Sequence, residues 1–348
     1  MKQVRTAVIG LGRIGWGRHI PEIGRHPEQF KLVAVVDTAP ERLAEAKERY
    51  GVDGYTDIAE MINAVHPDMV IVASPNHLHR PHACLAMEMG CDVFLEKPMA
   101  ENYESAQAIA DCAAKTGRKL MVFQPIRALA ATNQLLSIIN SGKIGKVSSV
   151  YVSRCGYVRR ADWQAFRKFG GGMLNNYGPH YIDVLLYMLR ERINRLFCSA
   201  KVTACAGDAE DTVKILLETE SGIAIDIDIN QASALSHPEW LIRGEYGAIM
   251  TEPGAPDKGA FRIRYYDPAQ MPPIEPCESL AAKNRKYNID MPIPWVEEII
   301  PVDDSFEVSF YDKLYEYMAL DKDPYIPLEE SLYVMELVRD CQRDAGLL

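Results

Sequence analysis

Two side chains in this sequence combine a usable chemistry with a telling position: Lys97, within Glu96-Lys97-Pro98, and His180, near the end of the segment Gly170 to Asp183. An ammonium at the end of a strand can hold a substrate oxygen and favour negative charge on it. A histidine can take a proton from an alcohol near neutral pH. Each also has a plainer reading, Lys97 as an exposed lysine and His180 as a buried structural histidine. On a continuous helix Asn176, His180 and Asp183 fall at i, i+4 and i+7 and share a face. Pro179, just before His180, can distort that first turn.

The elements that must position these groups are legible upstream. Residues 4–10 predict a buried strand, followed by Gly10-Leu11-Gly12-Arg13-Ile14-Gly15 and a helix to about Arg25. Gly10 permits a tight turn, Gly12 lets backbone approach a pyrophosphate, and Gly15 allows close helix–strand packing. A strand over 31–36 ends in Asp37, at about the distance where an acid accepts hydrogen bonds from an adenine ribose. A carboxylate there repels a 2′-phosphate, which favours NAD over NADP, and Arg42 nearby softens that preference. Asp37 as an ordinary loop acid is the other reading.

The alternation continues through a helix over 40–50, a helix N-cap at Asp57 and a strand over 69–73. The loop Ser74-Pro75-Asn76 follows, then a helix to Met89, a strand over 92–95, a helix over 102–115 and a strand over 119–123. Strands alternating with such helices predict right-handed crossovers and a parallel sheet, with Lys97 at its carboxyl edge where ligands bind. His77, His79 and His82 crowd one loop, but no carboxylate or cysteine joins them at metal-ligand spacing, so no metal is expected.

Past Lys146 the pattern changes. Strands are predicted over 147–152, 213–217, 223–229, 240–243 and 261–266, with a hairpin around Glu220-Ser221-Gly222 and a helix over 328–344. This reads as an α+β domain with a mostly antiparallel sheet. The proline-rich stretch 253–294 reads as long surface excursions. Arg159, Arg160, Asp162 and Trp163 precede the glycine-rich loop and either line a substrate site or form a solvated loop with one anchoring aromatic.

The chain has 348 residues, enough for one large or two medium domains, and 48% are hydrophobic. Its 38 basic and 48 acidic residues give a net charge of −10. With no basic cluster, nucleic-acid binding is not expected. No apolar run approaches the ~20 residues of a membrane span. Met1-Lys2-Gln3-Val4-Arg5 leads directly into a strand and leaves no room for a signal peptide, so a cytoplasmic protein is expected. The 8 cysteines contain no Cys-x-x-Cys, which suits buried thiols in a reducing compartment.

The glycine fingerprint, Asp37, Ser74-Pro75-Asn76-His77, Glu96-Lys97-Pro98 and Gly170-Gly171-Gly172…His180…Asp183 occur in that order. Together they resemble the glucose-fructose oxidoreductase / inositol dehydrogenase / MocA (Gfo/Idh/MocA) family, from about residue 4 to the C-terminal helix. The resemblance implies a Rossmann domain over 1–124 with a parallel sheet. It also implies an α+β domain over 125–348 with a large, mostly antiparallel open sheet. The second domain would bind substrate and form oligomers, a homodimer or homotetramer, and its last helix would pack back on the first.

The same resemblance makes Lys97 the active-site lysine, His180 the catalytic histidine and the bond before Pro98 cis. It assigns NAD, with NADP as an alternative, to Gly10, Gly12, Arg13, Ile14, Gly15, Asp37, Ser74, Pro75, Asn76, His77, Glu96 and Lys97. Arg127, Trp163 and Asp183 are expected to face substrate. Asn176 stands where many polyol dehydrogenases of the family carry aspartate; Asp183 either substitutes for it or caps local structure. The implied activity is hydride transfer between nicotinamide and a secondary alcohol or ketone of a sugar, cyclic polyol or derivative. The alternatives are NAD-dependent glycoside cleavage by transient oxidation and a nicotinamide-binding sensor or partner subunit.

Overall fold

Apolar runs with no polar alternation, such as Met69-Val70-Ile71-Val72, can be strands only where both faces are covered. The computed structural model describes residues 3–252, 259–273, 278 and 292–348. It places these runs in a parallel six-stranded sheet: β1 (Val4–Ile9), β2 (Phe30–Val36), β3 (Asp53–Tyr55), β4 (Met69–Val72), β5 (Asp92–Leu95) and β6 (Leu120–Val122). The order 3-2-1-4-5-6 puts the reversal between β1 and β4. A crevice therefore opens at the carboxyl ends of β1, β4 and its neighbour β5, which carry Gly10, Ser74 and Lys97.

The intervening helices are α1 (Ile20–Arg25), α2 (Pro40–Tyr50), α3 (Ile58–Val65), α4 (His79–Glu88) and α5 (Tyr103–Thr116). Their ends follow local chemistry. The Asp57 carboxylate accepts the Glu60 N–H at 2.8 Å, and Asn102 Oδ1 accepts that of Ser105 at 2.8 Å. Each cap is worth about 1 kcal/mol. Gly117 ends α5 in the left-handed region, φ 65°. The expected helix from Gly15 is instead a π-turn, Gly15–His19, before α1.

After α6 (Ala130–Asn140) comes an eight-stranded sheet of β7 (Val147–Cys155), β8 (Ile193–Lys201), β9 (Thr212–Thr219), β10 (Ala224–Asn230), β11 (Trp240–Gly244), β12 (Gly247–Thr251), β13 (Ala260–Tyr265) and β14 (Val296–Pro301). It is antiparallel except where β10 runs parallel to β7, and β9–β10 is the expected hairpin. β8, β12 and β14 carry weak apolar alternation and were not expected from the pattern. Residues 253–258, 274–277 and 279–291 of the proline-rich stretch, Cys277 among them, lie outside the described residues. One face of the sheet, through Val152, Ile215 and Ile227, packs on α7 (Met173–Asn176), α8 (Gly178–Leu189) and α10 (Leu328–Asp344).

A helix from the far end of the chain completes the first sheet. Crossovers β1–α1–β2–α2–β3 cover one face of the first sheet near β1 to β3, while α3, α4 and α5 cover the other. This leaves β4, β5 and β6 bare on the first face. Helix α9 (Phe310–Leu320) fills the gap: Phe310, Tyr311 and Leu314 pack with Ile71, Phe94 and Met121. Burying each such side chain contributes about 1.5–3 kcal/mol. Met335 of α10 joins the core on the opposite face.

Candidate active site

Gly10 closes the turn after β1 with φ 92°, and a Cβ there would stand 2.7 Å from the Ala73 carbonyl oxygen. A Cβ on Gly15 would overlap the Gly10 carbonyl. Gly12 differs, with nothing within 4 Å of the position its Cβ would take. The fingerprint is therefore packed tight behind and open in front, which fits a dinucleotide pyrophosphate against backbone. Ile14 leads into the π-turn, and Arg13 is exposed. Asp37, 8% exposed, accepts the Leu11 N–H at 2.7 Å and the Ala39 N–H at 2.9 Å. Arg42 Nη1 lies 3.3 Å from the same carboxylate. One acid thus ties the glycine turn to the start of α2.

The histidines after β4 take separate partners. His79, buried, lies 2.9 Å from both the Ser74 and Pro98 carbonyls and so links the ends of β4 and β5. His82 Nδ1 meets Ser74 Oγ at 3.0 Å, and His77 stacks near Phe169 with ring centroids 5.9 Å apart. Burial pushes His82 down to about 4, with the neighbouring histidines adding to it. Among the described residues no three His, Cys, Asp or Glu side chains converge as a metal set. Pro75 leads the short turn Asn76–Leu78, from which Asn76 Nδ2 donates to the Gly170 carbonyl at 3.2 Å. The cofactor loop is thereby joined to the glycine-rich loop of the second domain.

The peptide bond before Pro98 is cis. Lys97 extends from β5 to Asn176, its Nζ 3.2 Å from both the Oδ1 and the backbone carbonyl of that residue. The carbonyl is available because the helix breaks at Tyr177. Pro179 has no N–H to donate, and the His180 N–H turns to the Tyr177 carbonyl at 3.1 Å instead of to Asn176. The continuous face expected for Asn176, His180 and Asp183 is therefore split between α7 and α8.

His180 lies beside Lys97, 9% exposed, with no hydrogen-bond partner for Nδ1 among the described residues. Burial, then the Lys97 charge, pushes its pKa well below the usual histidine value, so it is neutral at physiological pH. Burial also lowers Lys97; Glu96 opposes that shift and Arg13 adds to it. The cluster thus pairs a weakly held ammonium with a neutral imidazole that has a free nitrogen.

Arg127 and Asp183 do not stand in this cluster as substrate groups; that expectation is corrected. Each is 1% exposed. They face one another in a bidentate pair of 2.7 and 2.6 Å. Arg127 also reaches Glu330 at 2.5 Å and stacks over Tyr187 at 4.9 Å. Asp183 is therefore no substitute carboxylate for His180; it fastens α8 to the segment after β6. Trp163, 40% exposed, begins a short turn capped by Asp162, and no contact among the described residues ties it to Lys97. Glu96 is buried, with His19 Nε2 at 2.8 Å and the Lys97 N–H at 3.1 Å. His19 was missed; its spacing after the fingerprint was the available signal. A groove of about 660 Å³ between α4 and α5 is lined by His77 and Glu101 but not by Lys97.

Both halves match models of known families. The model described as oxidoreductase family, NAD-binding Rossmann fold, covers residues 4–124, and that described as the GFO/IDH/MocA C-terminal domain covers 132–250. The chain is 33% identical over 193 residues to the D-glucoside 3-dehydrogenase of Escherichia coli (strain K12). That alignment takes in 53% of this chain and 54% of the relative, about half the relative's length. It is 27% identical over 262 residues to the 2,7-anhydro-N-acetylneuraminate hydratase of Mediterraneibacter gnavus, covering 72% and 68% of the two chains. In fold it is similar to the WlbA dehydrogenase from Bordetella pertussis, solved with NADH and UDP-GlcNAcA. The TM-score is 0.76 at 23% identity, over 99% of this chain and 97% of the other. No described helix is long and apolar enough to cross a membrane.

Proposed function

The chain belongs to the Gfo/Idh/MocA family of NAD-binding oxidoreductases, and on that premise we propose that it oxidises and reduces a secondary alcohol/ketone pair on a sugar, cyclic polyol or derivative. The observation that carries this reading is the Lys97–Asn176–His180 cluster at the carboxyl edge of the parallel sheet. When bound, the nicotinamide supplies the carbon that accepts or donates hydride. His180 takes the hydroxyl proton in oxidation and returns it in reduction. Lys97 attracts the substrate oxygen and favours negative charge there.

Asn176 holds the lysine through two neutral oxygens. An aspartate would pair with the ammonium and weaken its field at the substrate. The Asp37 carboxylate favours NAD, and Arg42 moderates its repulsion of a 2′-phosphate. The name of the D-glucoside 3-dehydrogenase relative supports a sugar ring as substrate. Phe197 and Leu216, paired across β8 and β9, are 53% and 42% exposed, and we infer that this open face joins copies of the chain in a homodimer or homotetramer. Light scattering on wild type and Phe197→Glu tests it.

The deciding experiment incubates the protein with NAD and a panel of sugars, polyols and aryl glycosides while following NADH and aglycone release together. Accumulating NADH supports the proposal. Aglycone release without net NADH supports transient oxidation instead, a second reading favoured by the name of the hydratase relative. Tight NADH binding without turnover on any compound would make the chain a binding subunit.

A further inference from the structure

Glu96 is 6% exposed and a carboxylate has only acceptor atoms. His19 Nε2 lies 2.8 Å from its Oε1, so that nitrogen must donate. In a neutral ring Nδ1 is then a lone pair, and the Tyr311 hydroxyl, 2.7 Å away, donates to it. The other Glu96 oxygen, Oε2, accepts the Lys97 backbone N–H at 3.1 Å. Every link has one consistent direction: Tyr311 to His19, His19 to Glu96, and Glu96 beside Lys97.

The chain is assembled from parts of the fold with no local connection. His19 is the last residue of the π-turn after the glycine fingerprint and is wholly buried. Such turns recur at functional sites. Tyr311 comes from α9. Its ring stacks on His26 at 5.6 Å and meets Phe30 edge-on at 5.6 Å, which aims the hydroxyl at His19.

We propose that His19 and Tyr311 are positioning residues that hold the Glu96 carboxylate in place against the Lys97 backbone and, through it, tune the Lys97 ammonium. The groups bearing on Lys97 are Glu96, Arg13 from the fingerprint and His180 from α8. Those around Glu96 and Tyr311 are His19, His79 from α4, and Arg18 and Glu22 from the helix after the fingerprint. Glu96 is the group that favours the ammonium against burial and Arg13. Without the His19 N–H, Glu96 Oε1 loses its hydrogen-bond partner, the carboxylate is no longer fixed beside Lys97, and that support weakens. The proposal rests on Lys97 being the active-site lysine, but its test needs no substrate.

The full chain is labelled with a limiting amount of acetic anhydride across a pH series, and the Lys97 peptide is quantified by mass spectrometry. Its midpoint reports the Lys97 pKa. Circular dichroism and a cooperative urea transition confirm that each variant is folded. Glu96→Gln and His19→Leu should move the midpoint down by about one pH unit or more. His19→Gln, which keeps an N–H for Glu96, should stay near wild type. Unchanged midpoints in Glu96→Gln and His19→Leu overturn the proposal, and so does an equal shift in His19→Gln and His19→Leu, which assigns the effect to packing. If His19→Leu does not fold, Tyr311→Phe keeps the ring packing and should give a smaller downward shift, with no shift overturning the proposal. Absence of turnover on every sugar would refute the proposed function and leave this readout intact.

Discussion

Replacing Arg127 with methionine should destabilise the fold by about 3–5 kcal/mol, the usual result of leaving one partner of a buried ion pair alone. Both charges are 1% exposed, and two hydrogen bonds of 2.7 and 2.6 Å join them. Burial pushes the Asp183 carboxyl up while Arg127 holds it down. Without Arg127, Asp183 titrates above its unfolded value. The stability tied to Asp183 in the variant should therefore be fully present below its unfolded value and be lost as pH rises through the folded Asp183 pKa.

The partner substitution is gentler. In Asp183→Asn, Arg127 keeps Glu330, whose side chain is 45% exposed, and the loss should be about 1–3 kcal/mol. Arg127→Met with Asp183→Val should recover much of the loss, because an apolar pair carries no desolvation penalty. Urea unfolding followed by tryptophan fluorescence compares wild type with these three variants, with NADH binding as a control. Unchanged stability in Arg127→Met, together with a selective rise in KM for a sugar, would refute the argument and return Arg127 to the substrate site.

Lys97→Met should lower kcat by about 10²–10³, since the ammonium acts where charge develops; undiminished turnover would exclude that role. Asp37→Asn keeps an acceptor for the Leu11 N–H and removes the charge, so the ratio of NADP to NAD affinity should rise about tenfold, read by calorimetry. A constant ratio would show that Asp37 does not read the ribose. Burial holds His180 and His82 below the free-histidine value of 6.5, so they stay neutral in the fold and protonate first in the unfolded chain. The stability tied to that difference is complete above pH 6.5 and is lost as pH falls towards their folded values, with a slope of up to about 1.4 kcal/mol per pH unit for His180. Urea midpoints measured from neutral pH down to about pH 5 should show the slope, and His180→Gln should flatten it.

The first domain could be read in advance because its signals are local. A glycine that needs positive φ, an unbroken apolar strand, an N-cap and an acid after β2 each depend on a few neighbouring residues, so Gly10, Asp37, Asp57 and Lys97 were legible as types in a pattern. The second sheet was only partly legible. β8, β12 and β14 have weak alternation and are held by pairing with their neighbours.

Which buried polar atoms meet was decided by packing alone. Asn176 offers Lys97 its backbone carbonyl only because the helix breaks at Tyr177. Asp183, one turn beyond His180 in sequence, turns to Arg127 because two buried charges are stable only together. His19 and Tyr311 stand 292 positions apart and share a hydrogen bond because α9 covers a face of the first sheet that its own crossovers leave bare. Local sequence determines element type and the chemistry available at each position. Tertiary packing decides which of those groups are desolvated side by side, and desolvation sets the charge states of Lys97 and His180 on which the proposed reaction depends.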